Sequence, residues 1–202
     1  MTFDEKLNEI TNLIQHIHKK GWSPGTSTNY SFKNNNEIYV SKSGIDKSKF
    51  SKYDFINIDI FGKPISETGI KPSAETLLHT VLYEMEPKIE CILHTHSVYA
   101  TVLSRFYENN IKINSYEVLK GIGEIHTHDI EIGIPIFNNT QDIKQLSEEF
   151  RRYFKENPNI RAYLIKGHGL YTWGESIFIA KRQLEVFEFL LECHYKELML
   201  TK

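Results

Sequence analysis

The chain has 202 residues, and its 24 Lys and Arg stand against 26 Asp and Glu, for a net charge of −2. This near balance argues against a nucleic-acid-binding protein, because phosphate binding needs a clustered excess of basic side chains. Hydrophobic residues make up 40% of the chain and aromatic residues 12%, which excludes an intrinsically disordered protein.

No apolar run reaches the ~18 to 20 residues that a membrane span needs. The N-terminus is acidic where a secretory signal would be basic and then apolar. Two cysteines, Cys91 and Cys193, are too few for a disulfide framework. We therefore expect a soluble, cytoplasmic globular protein that binds neither nucleic acid nor membrane.

Hydrophobic periodicity and capping residues predict an irregular alternation of helices and strands. In the first half these are a helix begun by Thr2 and Glu5 and ended by Gly21, strands over 38–41 and 55–61, and a helix from Pro72 to Pro87. In the second half they are a strand over 91–93, a helix begun by Ser97, a strand over 132–137, a helix capped by Thr140, a strand over 162–166 and a helix over 176–200. Such alternation indicates a layered α/β domain with a mixed sheet.

The histidines carry the clearest chemical signal. His94 and His96 follow a buried strand, and alternate residues of an extended chain point the same way, so their imidazoles can meet at one point. His168 is the best candidate for a third ligand, because Gly167 and Gly169 let the chain turn sharply and approach closely. Three neutral imidazoles with open positions left for substrate describe a catalytic divalent site, and zinc is the metal that this ligand set favours.

A second His-x-His pair, His126 and His128, follows a charged stretch with glycines instead of an apolar strand. We interpret it as part of a connecting segment that does not bind the metal, although His128 could approach the site as a substrate contact. The remaining histidines lie in helical patterns and are expected to be surface or packing residues: His16, His18, His79 and His194.

Five motifs, in this order, resemble the class II aldolase family, and together they run from about residue 20 to about residue 175. They are the small-residue loop at 23–29, Ser43-Gly44, Pro72-Ser73-Ala74-Glu75, His94-Thr95-His96 and His168-Gly169-Leu170-Tyr171. Further segments resemble one branch of that family, the dehydratases of a phosphorylated ketose: 21–26, 40–47, 116–122, 139–143 and 171–174.

The resemblance implies a three-layer α/β/α fold with a mixed central β-sheet, and we expect a single such domain over residues 1–202. It implies a homotetramer. It also implies one Zn²⁺ per subunit, held by His94, His96 and His168, the same residues that their spacing favours.

The implied substrate is a small ketose with a phosphate at C1 and a methylthio group at C5. Zinc would polarise the C2 carbonyl, a carboxylate would remove the C3 proton, and the C4 hydroxyl would leave as water. The resemblance gives this acid/base role to Glu117. Glu75 is the alternative, because it matches the glutamate that serves in the related aldolases, although an acidic residue is also favourable in a first helical turn.

The resemblance places the substrate phosphate among backbone and hydroxyl donors of small-residue turns, which form anion sites. The expected contacts are Thr26, Ser27, Asn29, Ser43, Gly44 and Ser73, with Lys120 adding positive charge. These are also the residue types that loops contain in any case. Thr28 stands where many relatives have glycine and Ala74 where aldolases often have serine, so the exact phosphate contacts stay open.

Other functions are compatible with the same motifs. A sugar-phosphate aldolase or an L-ribulose-5-phosphate 4-epimerase would keep the same three histidines, so only the substrate pocket and the base can separate them. An adducin-like binding module on the same fold has no need for a convergent histidine site, and stoichiometric zinc would count against it. The sequence alone does not define the native metal, the number of subunits in the oligomer, or how strictly the substrate pocket requires the methylthio group.

Overall fold

A computed structural model describes residues 2–66, 69 and 72–201. In this part of the chain, eight strands form one sheet and five helices cover it. The strands are β1 (Tyr30–Asn34), β2 (Glu37–Ser41), β3 (Phe55–Ile58), β4 (Cys91–Thr95), β5 (Asn110–Asn114), β6 (Glu131–Phe137), β7 (Ala162–Ile165) and β8 (Gly169–Gly174). The helices are α1 (Phe3–Lys19), α2 (Thr76–Met85), α3 (Val98–Phe106), α4 (Ile143–Glu156) and α5 (Ile177–Leu200).

The sheet is mixed, as predicted, with the strand order β3-β2-β1-β4-β8-β7-β6-β5. Neighbouring strands are antiparallel except β6 and β7, which are parallel. In the central pair, His94 of β4 lies opposite Tyr171 of β8, and Thr95 lies opposite Leu170. The end of β4 therefore adjoins the start of β8, which brings two distant histidine segments to one edge of the sheet.

Helices cover both faces of the sheet, which confirms the three-layer arrangement. On one face, α1, α3 and α5 bury an apolar core that includes Ile14, Leu103 and Leu184. On the other face, α2 and α4 bury a second core that includes Leu82 and Phe150. Removal of this apolar surface from water is the main force that holds the layers together. Among the described residues, none of the helices is long and apolar enough to cross a membrane.

Local capping explains where several helices begin. The Thr2 hydroxyl accepts a hydrogen bond from the Glu5 N–H at 3.2 Å, and the Glu5 carboxylate accepts one from the Thr2 N–H at 2.7 Å. This reciprocal pair is the predicted capping box of α1. Ser97 and Ser176 cap α3 and α5 through their hydroxyls, so the predicted starts of these three helices are confirmed.

Two predicted helix starts were wrong. The cap of α4 is Asp142, whose carboxylate accepts from the Gln145 N–H at 2.9 Å, whereas Thr140 forms an earlier turn. Helix α2 begins at Thr76 and not at Pro72, because the Ser73 carbonyl accepts from the Thr76 N–H and closes a separate turn.

The strand predicted over 55–61 ends at Ile58. Beyond it, the Asp59 carboxylate accepts hydrogen bonds from the N–H groups of Phe61 and Lys63. Such a side-chain turn competes with continued strand pairing. Strands β1, β5 and β8 were not predicted. The expectation of a single domain over 1–202 stays a prediction, and one continuous sheet supports it.

Candidate metal centre

Three histidines converge where β4 ends and β8 begins. The Nε2 atom of His94 lies 2.7 Å from Nε2 of His96 and 3.3 Å from Nε2 of His168. One ring nitrogen from each of the three residues lies within 4.8 Å of the other two. The predicted histidine cluster is thus formed within one chain.

The backbone of the turn between β7 and β8 makes this convergence possible. Gly167 adopts a φ of 65°, in the left-handed region that favours glycine. On the other side of His168, a Cβ on Gly169 would lie 1.9 Å from the Thr95 carbonyl oxygen. Gly167 is thus favoured by the sharp turn of the chain and Gly169 is required by the close approach of the two segments, as the sequence pattern predicts.

The three imidazoles suit a zinc ion. The Nδ1 atom of His94 lies 2.9 Å from the Leu170 carbonyl oxygen, which places the hydrogen on Nδ1 and leaves the lone pair of Nε2 facing the cluster. Zinc binds imidazole nitrogens at about 2.0 to 2.1 Å, so ligand nitrogens near 3 Å from one another are the expected spacing. Ring nitrogens that converge in this way offer three lone pairs to one divalent cation.

Burial favours the neutral form of two of these histidines, His94 and His96. Burial lowers the pKa of His94 well below its ordinary value, and the neighbouring His96 and His168 lower it further. Burial also lowers the pKa of His96 to about 4, with His168 and Lys47 adding to the effect. A metal binds the deprotonated imidazole, so these rings are in the binding form at neutral pH.

Glu75 lies against the cluster. Its Oε2 atom is 3.5 Å from Nε2 of His94, and its Oε1 atom is 3.3 Å from Nε2 of His168. The Asn29 side-chain amide donates to Oε2 at 2.7 Å, and the Tyr171 hydroxyl donates to the same oxygen. The ring of Tyr171 also stacks on His94, with centroids 3.9 Å apart. This carboxylate is held beside the three histidines by donors from β8 and from the residue before β1.

Glu117 lies elsewhere in its own chain, on an exposed 3₁₀ turn at Glu117–Gly121. Its carboxylate accepts from Lys120 Nζ at 2.6 Å, and its second oxygen is 3.5 Å from His128 Nδ1. The Lys120 hydrogen bond lowers the pKa of Glu117. Lys120, the predicted phosphate contact, and His128, the possible substrate contact, thus lie together with Glu117 and away from the other candidates.

The other predicted phosphate contacts come from three loops near the start of α2. Lys42, next to Ser43-Gly44, forms a bridge with Pro72, next to Ser73. The third loop joins through Asn29, whose amide reaches Glu75. Thr26 is exposed, and Ser27 donates to the Pro24 carbonyl at 2.6 Å.

A cavity of about 540 Å³ opens beside the cluster. Its polar side is formed by Glu75, His96 and His168, together with the segment 139–141 that joins β6 to α4. Its apolar side includes Val98, Val102, Ile143 and Leu146. The cavity therefore offers one small ligand a polar end at the histidine cluster and an apolar wall. The segment 139–143 resembles the dehydratases in sequence, but its residue types do not predict that it lines the site.

Lys47 is a further charged residue that the sequence did not single out. It is fully buried, its Nζ donates to the Ile45 carbonyl at 3.0 Å, and burial lowers its pKa to about 8. Among the residues that the structure describes, no carboxylate pairs with Lys47, which is unusual for a buried lysine. Its position in the motif at 40–47 could have marked Lys47 as a residue of interest. A lysine in a polar loop is normally exposed, however, so its burial was not expected.

Comparison with known proteins agrees with this geometry. The profile of the family described as "Class II Aldolase and Adducin N-terminal domain" matches residues 8–195. The chain is 48% identical to a methylthioribulose-1-phosphate dehydratase of Picosynechococcus sp., over 94% of this chain and 91% of that protein. It is 42% identical to a protein of the same name from Pseudomonas fluorescens, over 97% of this chain and 95% of that protein.

Two solved structures share the fold at low identity. An L-fuculose 1-phosphate aldolase superposes with a TM-score of 0.81 at 20% identity, over 100% of this chain and 90% of that one. The L-fuculose-1-phosphate aldolase of Thermus thermophilus gives a TM-score of 0.76 at 17% identity, over 98% of both chains. With its histidine cluster at the edge of a mixed sheet, this chain belongs to the class II aldolase family.

Proposed function

We propose that this protein is a zinc-dependent hydro-lyase that dehydrates 5-methylthioribulose 1-phosphate to 2,3-diketo-5-methylthiopentyl 1-phosphate, a step of methionine salvage. The observation that carries the proposal is the three-histidine cluster with a carboxylate beside it, in a chain 48% and 42% identical to two proteins named for this activity. Zinc, one ion per subunit, is the proposed cofactor.

A divalent cation bound by His94, His96 and His168 would act as a Lewis acid on the C2 carbonyl and so acidify the C3 proton. A carboxylate of the protein then takes that proton and returns it to the C4 hydroxyl, which leaves as water. The enol that remains tautomerises to the 2,3-diketone. The neutral imidazoles keep their lone pairs on the cation, so none of them competes for the transferred proton.

Glu117 is the proposed acid/base. It lies outside the cluster of its own chain, so this assignment requires a neighbouring subunit to bring it there. We propose the homotetramer implied by the family resemblance as the assembly that does so. The exposed group of Glu117, Lys120 and His128 supports this, because it gathers a carboxylate and two basic side chains on a surface. Glu75 is the alternative base.

The cavity supports the proposed substrate. Its apolar wall of Val98, Val102 and Leu146 suits a methylthio tail, which gains free energy when its carbons leave water. The loops of Thr26, Ser27, Asn29, Ser43, Gly44 and Ser73 are the proposed phosphate site, with Lys120 adding charge. We propose the cytoplasm as the compartment, and the free thiols of Cys91 and Cys193 support it.

A retro-aldol reaction is the second candidate, because Glu75, which matches the aldolase glutamate, lies against the cluster. One experiment separates the two. Zinc-loaded protein is incubated with 5-methylthioribulose 1-phosphate, and the products are identified by mass spectrometry and NMR. The diketone phosphate with loss of one water is the expected result. Dihydroxyacetone phosphate with a methylthio aldehyde would instead establish carbon–carbon cleavage.

The two candidate bases are compared by single replacement. Glu117→Gln should lower turnover by about 10²- to 10⁴-fold while zinc stays bound, because general acid–base catalysis typically contributes that much. Glu124→Gln, a replacement of an exposed carboxylate on the neighbouring loop, is the matched control and should keep full turnover. If Glu117→Gln stays near full turnover and Glu75→Gln loses it, the base is Glu75.

A further inference from the structure

His79 is a fully buried histidine of α2 that lies outside the metal cluster. Sequence reasoning predicts only a surface or packing role for it. In the structure both of its ring nitrogens have polar partners: Nδ1 is 2.7 Å from the Ser31 hydroxyl, and Nε2 contacts the Oδ1 atom of Asn29. A buried ring held at both nitrogens fixes the orientation of whatever it contacts.

The direction of each hydrogen bond follows from the Glu75 carboxylate, which as an ion can only accept. The Asn29 amide nitrogen must therefore face Glu75, at 2.7 Å, and its oxygen must face His79. Because that oxygen accepts, Nε2 of His79 carries a hydrogen. Burial lowers the pKa of His79 to about 3, so the ring is neutral and its Nδ1 atom accepts. Ser31 then donates to Nδ1 and accepts from the Tyr83 hydroxyl, 2.8 Å away.

Every hydrogen along this chain of groups points towards one oxygen of Glu75. Oε2 accepts from Asn29 and from the Tyr171 hydroxyl, while Oε1 faces Nε2 of His168 at 3.3 Å. The main-chain carbonyl of Asn29 also accepts from the His94 N–H at 3.1 Å. Asn29 is thus attached to a metal ligand through its backbone and to the adjacent carboxylate through its side chain.

We propose that His79 is a positioning residue of the metal centre: its Nε2–H fixes the Asn29 amide in one orientation, and that amide holds the Glu75 carboxylate against His94 and His168. Without this N–H, the Asn29 side chain can rotate and present its oxygen to Glu75. The carboxylate would then lose a donor and move away from the cluster. This inference rests on the proposed function only in that a divalent cation binds His94, His96 and His168.

The first test needs no substrate. In zinc-loaded, ¹⁵N-labelled full-length protein, long-range ¹H–¹⁵N correlation spectra report which nitrogen of each histidine carries the hydrogen. The signals absent from the His79→Gln variant identify His79. We expect a neutral ring with its hydrogen on Nε2 that does not titrate between pH 8 and 5. A hydrogen on Nδ1, or a titration in that range, would overturn the proposal.

The second test measures zinc affinity by competition with a chelator. His79→Leu removes the donor, and we expect zinc binding to weaken by about 10-fold, as is typical when a residue that orients the groups around a metal site is lost. His79→Gln keeps an N–H in the place of Nε2–H and should restore most of the affinity. In a Glu75→Gln background, His79→Leu should have no further effect, because the carboxylate on which His79 acts is gone.

An equal loss of affinity in both backgrounds would assign His79 to packing alone and would overturn the proposal. If His79→Leu does not fold, the position of the hydrogen on the His79 ring still decides the question. The His79→Gln variant, which keeps the donor, must in addition bind zinc nearly as well as the unsubstituted chain. Failure of the proposed function has a different signature. The chain would leave 5-methylthioribulose 1-phosphate unchanged while the tautomer and the zinc cycle stand.

Discussion

Gly169 lies so close to the main chain of Thr95 that a Cβ on Gly169 would stand 1.9 Å from the Thr95 carbonyl oxygen. Thr95 separates His94 from His96, and Gly169 directly follows His168. This one contact between β8 and β4 therefore sets the distance between the two segments that supply the three imidazoles. A side chain of any size at position 169 must push these segments apart.

Gly169→Ala should weaken zinc binding by at least about 10-fold, because ligand geometry is lost when the backbone moves. Zinc content after dialysis and chelator competition measure this directly. Gly133→Ala is the control: its Cβ would meet the side chain of Asn110 at 2.8 Å, at a sheet edge where a side chain can turn away. Unchanged zinc affinity in Gly169→Ala would contradict the prediction.

His94, His96 and His168 are predicted to bind the metal. The second His-x-His pair, His126 and His128, is predicted not to bind it. His168→Ala should lose stoichiometric zinc, because two imidazoles do not form a stable zinc site without a third protein ligand. His126→Ala should keep one zinc per chain, since its side chain is 86% exposed and its nearest acidic partner is Glu124 at 3.9 Å. Metal analysis of the two purified variants checks this, and retention of full zinc by His168→Ala would refute the ligand assignment.

Much of the fold could be predicted from the sequence, because helix caps and hydrophobic periodicity are local features. The capping box of Thr2 and Glu5 and the serine caps of α3 and α5 depend on residues within one helical turn. Strand β8 was missed because it is buried along its whole length, so it lacks the alternation that marks a strand with one exposed face. Buried and exposed residues do alternate in strand β5, where Ile111 and Ile113 are buried, but the strand has only two apolar residues.

The part of the candidate site that depends on the spacing of residues along the chain could be predicted. The part that depends on tertiary contacts could not. His94, His96 and His168 follow from residue types at a strand exit and a glycine-flanked turn. The link between His79 and Asn29 joins residues 50 positions apart, and only the packing of α2 against the sheet makes it. The proposed role of Glu117 rests on a contact between subunits, which a sequence pattern does not describe.

Thr28 stores backbone strain beside the site. Its φ is 73°, a region that a β-branched residue rarely adopts, and its hydroxyl is 2.8 Å from that of the buried Tyr30. Thr28→Val keeps the strain and removes the hydrogen bond, so it should lower the free energy of unfolding by about 1 to 2 kcal/mol. Thr28→Gly loses the same bond but releases strain, and should be the more stable of the two variants.

Urea unfolding of the two Thr28 variants at one pH checks this order. Glycine is normally the costlier replacement, because it increases the entropy of the unfolded chain. A valine variant more stable than the glycine variant would therefore show that position 28 is not strained. The result bears on the proposed phosphate loop, because Thr28 adjoins Asn29.

Glu188 makes the stability of the chain depend on pH. It is 2% exposed on α5, it accepts from the Thr95 hydroxyl at 2.6 Å, and its Oε2 atom has no hydrogen-bond partner among the described residues. Burial raises the pKa of Glu188 from its ordinary 4.5 to about 7. Between these values the folded chain holds a proton that the unfolded chain has released. The contribution of Glu188 to stability is therefore full below pH 4.5 and is lost as the pH rises through 7.

Glu188→Gln removes this dependence, because an amide stays neutral. At pH 5 the variant and the unsubstituted chain should unfold at similar urea concentrations. At pH 8 the variant should be more stable by up to about 3 kcal/mol, since one pKa unit corresponds to about 1.4 kcal/mol. The comparison is made on metal-free protein, so that zinc release does not contribute to the difference. Equal stability at pH 8 would mean that Glu188 ionises in the folded chain at no cost, and that its second oxygen has a partner, such as water or a neighbouring subunit.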